Sequence, residues 1–432
     1  MRCILPISTA LALLGCSGDP LPTGPNVLLL TVDTLRADMT EPYGDAAPIS
    51  PALQELAAGA VVFEEAWSGS SWTLPSLASL HTGLHSSVHG AWQFSDVLGW
   101  DFDTLAERLT AAGWDTAAVV NHVFLGRKHG LNQGFVHYDD ELVEDFGKSH
   151  EAITSDTVSD RGIAWLEAKA SADDGRPWFL WLHYFDPHEV YQRHDRYAPT
   201  FGDETDLERY RGEIAWTDEH LGRVLASLET LGLAEDTVVV LTADHGEEWE
   251  EHGGLGHGHT LYGELVRVPL VIRAPGVEPA RIAERVSTLD VAPTVLKLTG
   301  VEPLSGTGGR SLGALLDGRE GRRGPILTEV GRSEAKRMAA IGDGRWKLLW
   351  HEHDNEAELF DLETDPGEQR DVAALHPDEV ERLFELLLAT RKAAIETAPL
   401  LADETARASL GAAERQALAD LGYVEDDEEE DQ

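Results

Sequence analysis

A chain of 432 residues is too long for one small domain, so a large α/β domain with a smaller companion is the natural expectation. With 34 Lys and Arg against 77 Asp and Glu, the net charge of −43 argues against nucleic acid and anionic lipid surfaces as partners. Charged and apolar residues are both plentiful, which excludes a mainly disordered chain.

Both cysteines, Cys3 and Cys16, lie in the opening MRCILPISTALALLGC. One early Arg, an apolar run too short to span a bilayer, and Leu-Leu-Gly before Cys16 read as a lipoprotein-type signal peptide over residues 1–16. On that reading Cys16 carries the lipid. The mature chain is then exported, anchored to a bacterial envelope membrane and free of disulfides. Residues 17–25, SGDPLPTGP, form a Pro/Gly linker.

NVLLLTVD follows, a continuous apolar run ending in Asp33, as expected of a strand buried on both faces. PALQELAAG, residues 51–59, predicts a short helix with Pro first and Gly last. AVVFEEAW is the next strand. DFDTLAERLTAAGWDTAAVVNH predicts a helix, a Gly stop and a strand. SDTVSDRGIAWLEAKA is a helix, and PWFLWLHYFDPH a strand. A helix covers about residues 206–231, then come strand DTVVVLTADHGEEW, strand RVPLVIRAPG and helix TLDVAPTVLKLTG. Strands alternating with helices predict a mostly parallel sheet sandwiched by helices over residues 26–321.

The character changes after about residue 322. GPILTEV, RMAAIGDGRWKLLW and EAELFDLETDP predict antiparallel strands, and PDEVERLFELLLATRKAAIE an amphipathic helix. This is a smaller α+β subdomain over residues 322–400. Residues 401–432 read as a loose helix and an acidic tail.

Three apolar strands end in groups that bind metals: Asp33, then Asp186 and His188, then Asp244 and His245. Open α/β sheets bind ligands beyond the carboxyl ends of their strands. One such Asp is commonly a turn or cap residue; three segments delivering carboxylates and imidazoles to one rim point to a cation. In SSWTLPSLASLHTG, Pro75 suits the first turn of a helix, which puts Thr73 at its N-terminus, where an anion is favoured. A hydroxyl beside a divalent cation is a nucleophile near neutral pH. Ser70, Ser71, Ser76 and Ser79 read as cap and packing residues.

These motifs together resemble the sulfatase family, within the alkaline phosphatase superfamily, across about residues 26–375. NVLLLTVDTLRAD resembles the first metal-binding strand and TLPSLASLHTG the nucleophile motif. HYFDPH, TADHGEEW and GHGHTLYGELVRVPLVIRAPG resemble later site motifs. GDGRWKLLW with ELFDLETDPGEQRDVA resembles the C-terminal subdomain. The resemblance implies Asp33, Asp244 and His245 as metal ligands, with Thr73 as nucleophile and further ligand. It implies His188 as a histidine near the transferred group and His257 at a substrate-contacting position; both are candidate catalytic residues, His188 or His257 being the expected acid for the leaving oxygen, and His259 and Thr34 are expected substrate-binding residues. Asp186 is a candidate for a second metal.

The chain also departs from the family pattern. Sulfatases convert a Cys or Ser to formylglycine; here the position is Thr73, so formylglycine is not expected. The motif's usual Arg is Leu77, and Thr34 replaces the second Asp of the metal pair. With His257 where a Lys is common, fixed positive charge is scarce, which favours a monoanionic ester group. One divalent ion, Mn, Zn or Ca, is the implied cofactor. The expected substrate is a small-molecule, glycan-linked or lipid-linked anionic ester, a sulfate or phosphate (di)ester. The alternatives are a phospho-group transferase of the same superfamily, or a catalytically inactive lipid-anchored binding protein with the same fold.

Overall fold

The computed structural model describes residues 22–44, 48–144, 154–172, 174–321, 324–333 and 336–398. The expected signal peptide, the Cys16 anchor and the acidic tail lie outside the described residues. Among the described residues no helix is long and apolar enough to cross a membrane.

The main sheet is built from β1 (Asn26–Val32), β2 (Val61–Trp67), β3 (Asp115–Val119), β4 (His137–Asp139), β5 (Trp178–Tyr184) and β6 (Thr237–Ala243). A two-residue hairpin pairs β7 (Glu248–Trp249) with β8 (Leu255–Gly256), and the main sheet resumes with β9 (Arg267–Arg273), β10 (Ala280–Ile282) and β11 (Val286–Ser287). The strand order is β10-β2-β9-β6-β1-β5-β3-β4, with β11 also on β2. The central strands β1, β5 and β6 are buried along almost their whole length, so their sequences are apolar runs without alternation.

The main helices are α1 (Pro51–Ala58), α2 (Thr73–Thr82), α3 (Leu105–Ala111), α4 (Ser155–Ala172), α5 (Asp206–Thr230) and α6 (Val291–Thr299). Capping boxes start two of them: Thr104 with Glu107 for α3, and Thr205 with Glu208 for α5. Helix α2 is different, since Trp72 precedes it and no side chain caps it, and all of its residues are buried.

β9 alone runs against its neighbours β6 and β2; the other pairs are parallel. A parallel pair needs a crossover, and none separates β6 from β9. The chain leaves β6, makes the β7–β8 hairpin and a single helical turn (Gly263–Val266), and returns. Residues 244–266 therefore stay above the carboxyl ends of β6 and β1. Gly246 permits the close return: its N–H bonds to Leu265 O, and a Cβ there would lie 2.0 Å from Glu264 O.

The smaller sheet is antiparallel, in the order β12 (Ile326–Val330), β13 (Met338–Asp343), β14 (Trp346–His351), β15 (Glu356–Asp361). Its strands alternate. Ala339, Ile341, Leu348 and Leu359 face Leu383 and Leu387 of α7 (Pro377–Thr397), while Ala340, Leu349 and Phe360 join the main core.

One buried ion pair ties this sheet to the segment above the main sheet. Lys347 is fully buried, and its Nζ donates to Glu368 Oε1 (2.8 Å), Glu368 Oε2 (2.9 Å) and Leu261 O (2.6 Å). Its ammonium also sits 5.0 Å from the Trp67 ring centroid. Removing one partner leaves the other charged, buried and unpaired. Lys347→Met should cost about 3–5 kcal/mol in urea unfolding, and adding Glu368→Leu should recover most of that loss. A loss under ~1 kcal/mol for the single variant would contradict this account of the bolt.

Candidate active site

The carboxyl ends of the central strands supply the site. Asp33 follows β1, and Asp244 and His245 follow β6. His183 lies in β5 beside Thr31 of β1, while His122 and His188 follow β3 and β5. Thr73 opens α2. All of these residues are buried.

Neither oxygen of Asp33 makes a hydrogen bond, and neither does Asp244 Oδ2. Burial, the nearby Asp244 and Glu247, in that order, push the Asp33 carboxyl well above the ordinary carboxylate range. Burial likewise raises Asp244. His245 Nε2 lies 3.5 Å from Asp33 Oδ1, 3.4 Å from Asp244 Oδ2 and 3.3 Å from Thr73 Oγ1. Two carboxylates, an imidazole and a hydroxyl thus converge in a dry space. Such a crowd is unfavourable alone and fits a divalent cation, for which oxygen and nitrogen donors of this kind suit Mn or Zn at least as well as Ca.

Hydrogen bonds sort the imidazoles into two kinds. His245 Nδ1 meets Gly246 O (2.9 Å) and His188 Nδ1 meets Glu189 O (2.5 Å). A carbonyl only accepts, so each Nδ1 carries the hydrogen and Nε2 the lone pair. His257 Nδ1 meets Glu247 Oε1 (3.0 Å), whose other oxygen accepts from Tyr191 Oη (2.7 Å). Ionised Glu247 therefore puts the His257 lone pair on Nε2 too; burial raises Glu247 to about 7. His122 is the reverse case, since its Nδ1 accepts from Phe124 N (3.1 Å) and Nε2 bears the hydrogen.

The structure gathers Thr73, Asp33, Asp244, His245, His188 and His257. The His257 ring centroid lies 4.5 Å from that of His245 and 4.8 Å from that of His188. Thr73 is not a capping residue, because it stands inside α2 with its hydroxyl on His245.

Other expected residues are placed elsewhere. Asp186 caps α4: its oxygens accept from Thr154 N (3.0 Å), Ser155 N (2.8 Å) and Ser155 Oγ (2.6 Å), which leaves it no part in a second metal site. Thr34 is engaged within the protein. Its N–H donates to Asp244 Oδ1 (3.2 Å) and its hydroxyl to Pro187 O (3.1 Å), at a left-handed φ of 52° that is rare for a β-branched residue. His259 pairs with Glu248 Oε2 (2.7 Å). Leu77 is fully buried in the core. Burial first, then His245 and Arg332, hold the His257 imidazole well below its usual value.

Reading the sequence passed over four residues. His122 ends a strand segment just as Asp33 does, and Glu247 directly follows the Asp-His-Gly of TADHGEEW; both signals were present. His183 is hidden inside an apolar strand. Arg332 comes from the β12–β13 connection, which nothing local ties to the site. It lies against Gly258, where a Cβ at φ 78° would meet Arg332 Cδ at 3.0 Å and Trp72 Cβ at 3.2 Å. The site thus has a fixed cation at its edge, contrary to the expected scarcity.

Saturating Mn²⁺ should raise the thermal midpoint, by about 2.7 kcal/mol of stability at a hundred times Kd, and Asp33→Asn should lose most of that gain. Equal gains in both proteins would place the cation elsewhere.

A family model described as Sulfatase matches residues 25–301, and one described as N-sulphoglucosamine sulphohydrolase, C-terminal, matches residues 251–391. Choline-sulfatase of Rhizobium meliloti (strain 1021) is 26% identical over 427 residues, covering 81% of this chain and 82% of that protein. Arylsulfatase of Clostridium perfringens (strain 13 / Type A) is 24% identical over 433 residues, covering 80% and 89%. The crystal structure of a phosphonate monoester hydrolase of Agrobacterium radiobacter superposes with a TM-score of 0.74 at 23% identity, covering 86% of this chain and 96% of that one. The strand-end cluster, the mixed sheet and the small C-terminal sheet agree with these matches: the chain belongs to the sulfatase family of ester hydrolases.

Proposed function

We propose that the protein hydrolyses sulfate or phosphate (di)esters with Thr73 as the nucleophile. The observation that carries this reading is the Thr73 hydroxyl, 3.3 Å from the lone-pair nitrogen of His245 and beside two buried carboxylates. A divalent cation held by Asp33, Asp244 and His245 would lower the pKa of that hydroxyl and polarise an ester oxygen. The Thr73 proton passes to the lone pair of His188 Nε2, Thr73 Oγ attacks S or P, the S–O or P–O bond to the leaving oxygen breaks, and that oxygen takes the proton from His188. The start of α2 and the His122 N–H favour the negative charge on the transferred group. Water attacks the threonine ester, His257 Nε2 takes the proton, and Thr73 is restored. Glu247 fixes the His257 ring for that step.

The test is a panel of aryl sulfate, aryl phosphate monoester, aryl phosphodiester and phosphonate monoester with Mn²⁺-loaded protein. Thr73→Ala should lose roughly 10³-fold or more in kcat with KM little changed, while Thr73→Ser keeps activity. Activity that survives Thr73→Ala intact would sink the nucleophile assignment. Turnover that needs an added acceptor alcohol would favour the transferase; binding of these esters without turnover would favour the inactive binding protein.

We also propose export and membrane anchoring through a lipid on Cys16, on the strength of the Leu-Leu-Gly-Cys sequence alone. Cys16→Ala should move the protein from the membrane to the soluble fraction. Equal partitioning of the two proteins would refute the anchor.

A further inference from the structure

Asp33 lies between two sets of nitrogen groups. Oδ1 faces His245 Nε2 at 3.5 Å, whereas Oδ2 faces His183 Nε2 at 3.5 Å and His122 Nε2 at 3.8 Å, approaches that fall short of hydrogen bonds. Asp33, His122 and His188 offer atoms within 4.8 Å of one another, close enough for a second cation. The His122 tautomer speaks against that, because its Nε2 carries hydrogen and has no lone pair to give.

The same reasoning applies to His183. The Trp181 indole N–H can only donate, and it donates to Thr31 Oγ1 at 2.9 Å. Thr31 has one hydroxyl hydrogen left, and His183 Nδ1 stands 2.9 Å from its oxygen. Thr31, Trp181 and His183 are fully buried, so no solvent offers another acceptor. The hydroxyl gives its hydrogen to Nδ1, and neutral His183 carries its own on Nε2. The opposite tautomer would strand the hydroxyl hydrogen and set a lone pair against a carboxylate oxygen.

We propose that His183 is a positioning residue for Asp33: the chain Trp181–Thr31–His183 aims an N–H at Asp33 Oδ2, which leaves Oδ1 to bind the cation from the side of His245 and Asp244. Here β1 supplies both Asp33 and the hydroxyl that sets the donor, and β5 supplies the donor and the indole. The parallel register that pairs Thr31 with His183 is what closes this chain. Partners of this kind fix the orientation of a metal-binding carboxylate, and removing one typically weakens metal binding 10- to 100-fold. The inference rests on the reading that Asp33, Asp244 and His245 hold a divalent cation.

The experiment is Mn²⁺ titration calorimetry on the full chain as wild type, His183→Ala, His183→Gln and Thr31→Val, each with its unfolding midpoint recorded. His183→Ala should weaken Mn²⁺ binding roughly 10- to 100-fold at unchanged stoichiometry. His183→Gln, which keeps an N–H near the Nε2 position, should restore most of the affinity. Thr31→Val, a near-isosteric change that leaves the imidazole in place, should weaken binding by a smaller factor. Wild-type affinity in both His183→Ala and Thr31→Val overturns the proposal. So does failure of His183→Gln to exceed His183→Ala. Fewer ions bound in His183→Ala overturns it in a distinct way, by making His183 a ligand. A wild type that binds no Mn²⁺ overturns the cation site itself, and this inference with it.

Discussion

The structure is organised around two carboxylates that repel each other in a dry space. Asp33 and Asp244 are buried at neighbouring strand ends; burial raises both, and the nearby Asp244 and Glu247 raise Asp33 further. Left alone, such a pair destabilises the fold. The protein answers on three sides. Thr34 and His245 give backbone N–H groups to Asp244 Oδ1, His122 and His183 turn Nε2 toward Asp33 Oδ2, and the remaining oxygens converge with His245 on a cation site. Such an arrangement fits a divalent ion.

Holding that arrangement requires parts that are distant in sequence. The absence of a crossover between β6 and β9 keeps residues 244–266 above the rim, where they bring Glu247 and His257 over the ligands. The small sheet then fastens this segment through Lys347, which bonds Leu261 O just past His257, and brings Arg332 to the edge. The C-terminal subdomain is therefore part of the site's construction, by an ion pair on one side and a guanidinium on the other.

Much of the site was legible. Asp33, Asp244 and His245 could be read because a long apolar run ending in a polar residue is a local signal, and Thr73 because Pro75 marks a helix start. The misreadings share a cause. Asp186, Thr34 and His259 sit in motifs that carry site residues, and motif membership does not say which way a side chain points. Asp186 was taken by the N-terminus of α4, Thr34 by Asp244 and Pro187 O, His259 by Glu248.

The sequence by itself determined the alternation of strands and helices, the rim where Asp33, Asp244 and His245 gather, and the presence of threonine at position 73. Those properties follow from residue type and short-range spacing. Tertiary structure decided the reversal of β9, the tautomer of each histidine, the helix-capping fate of Asp186 and the arrival of Arg332. These depend on which carbonyl, hydroxyl or carboxylate a group meets across the fold, and a linear chain does not encode that meeting in any one of its segments.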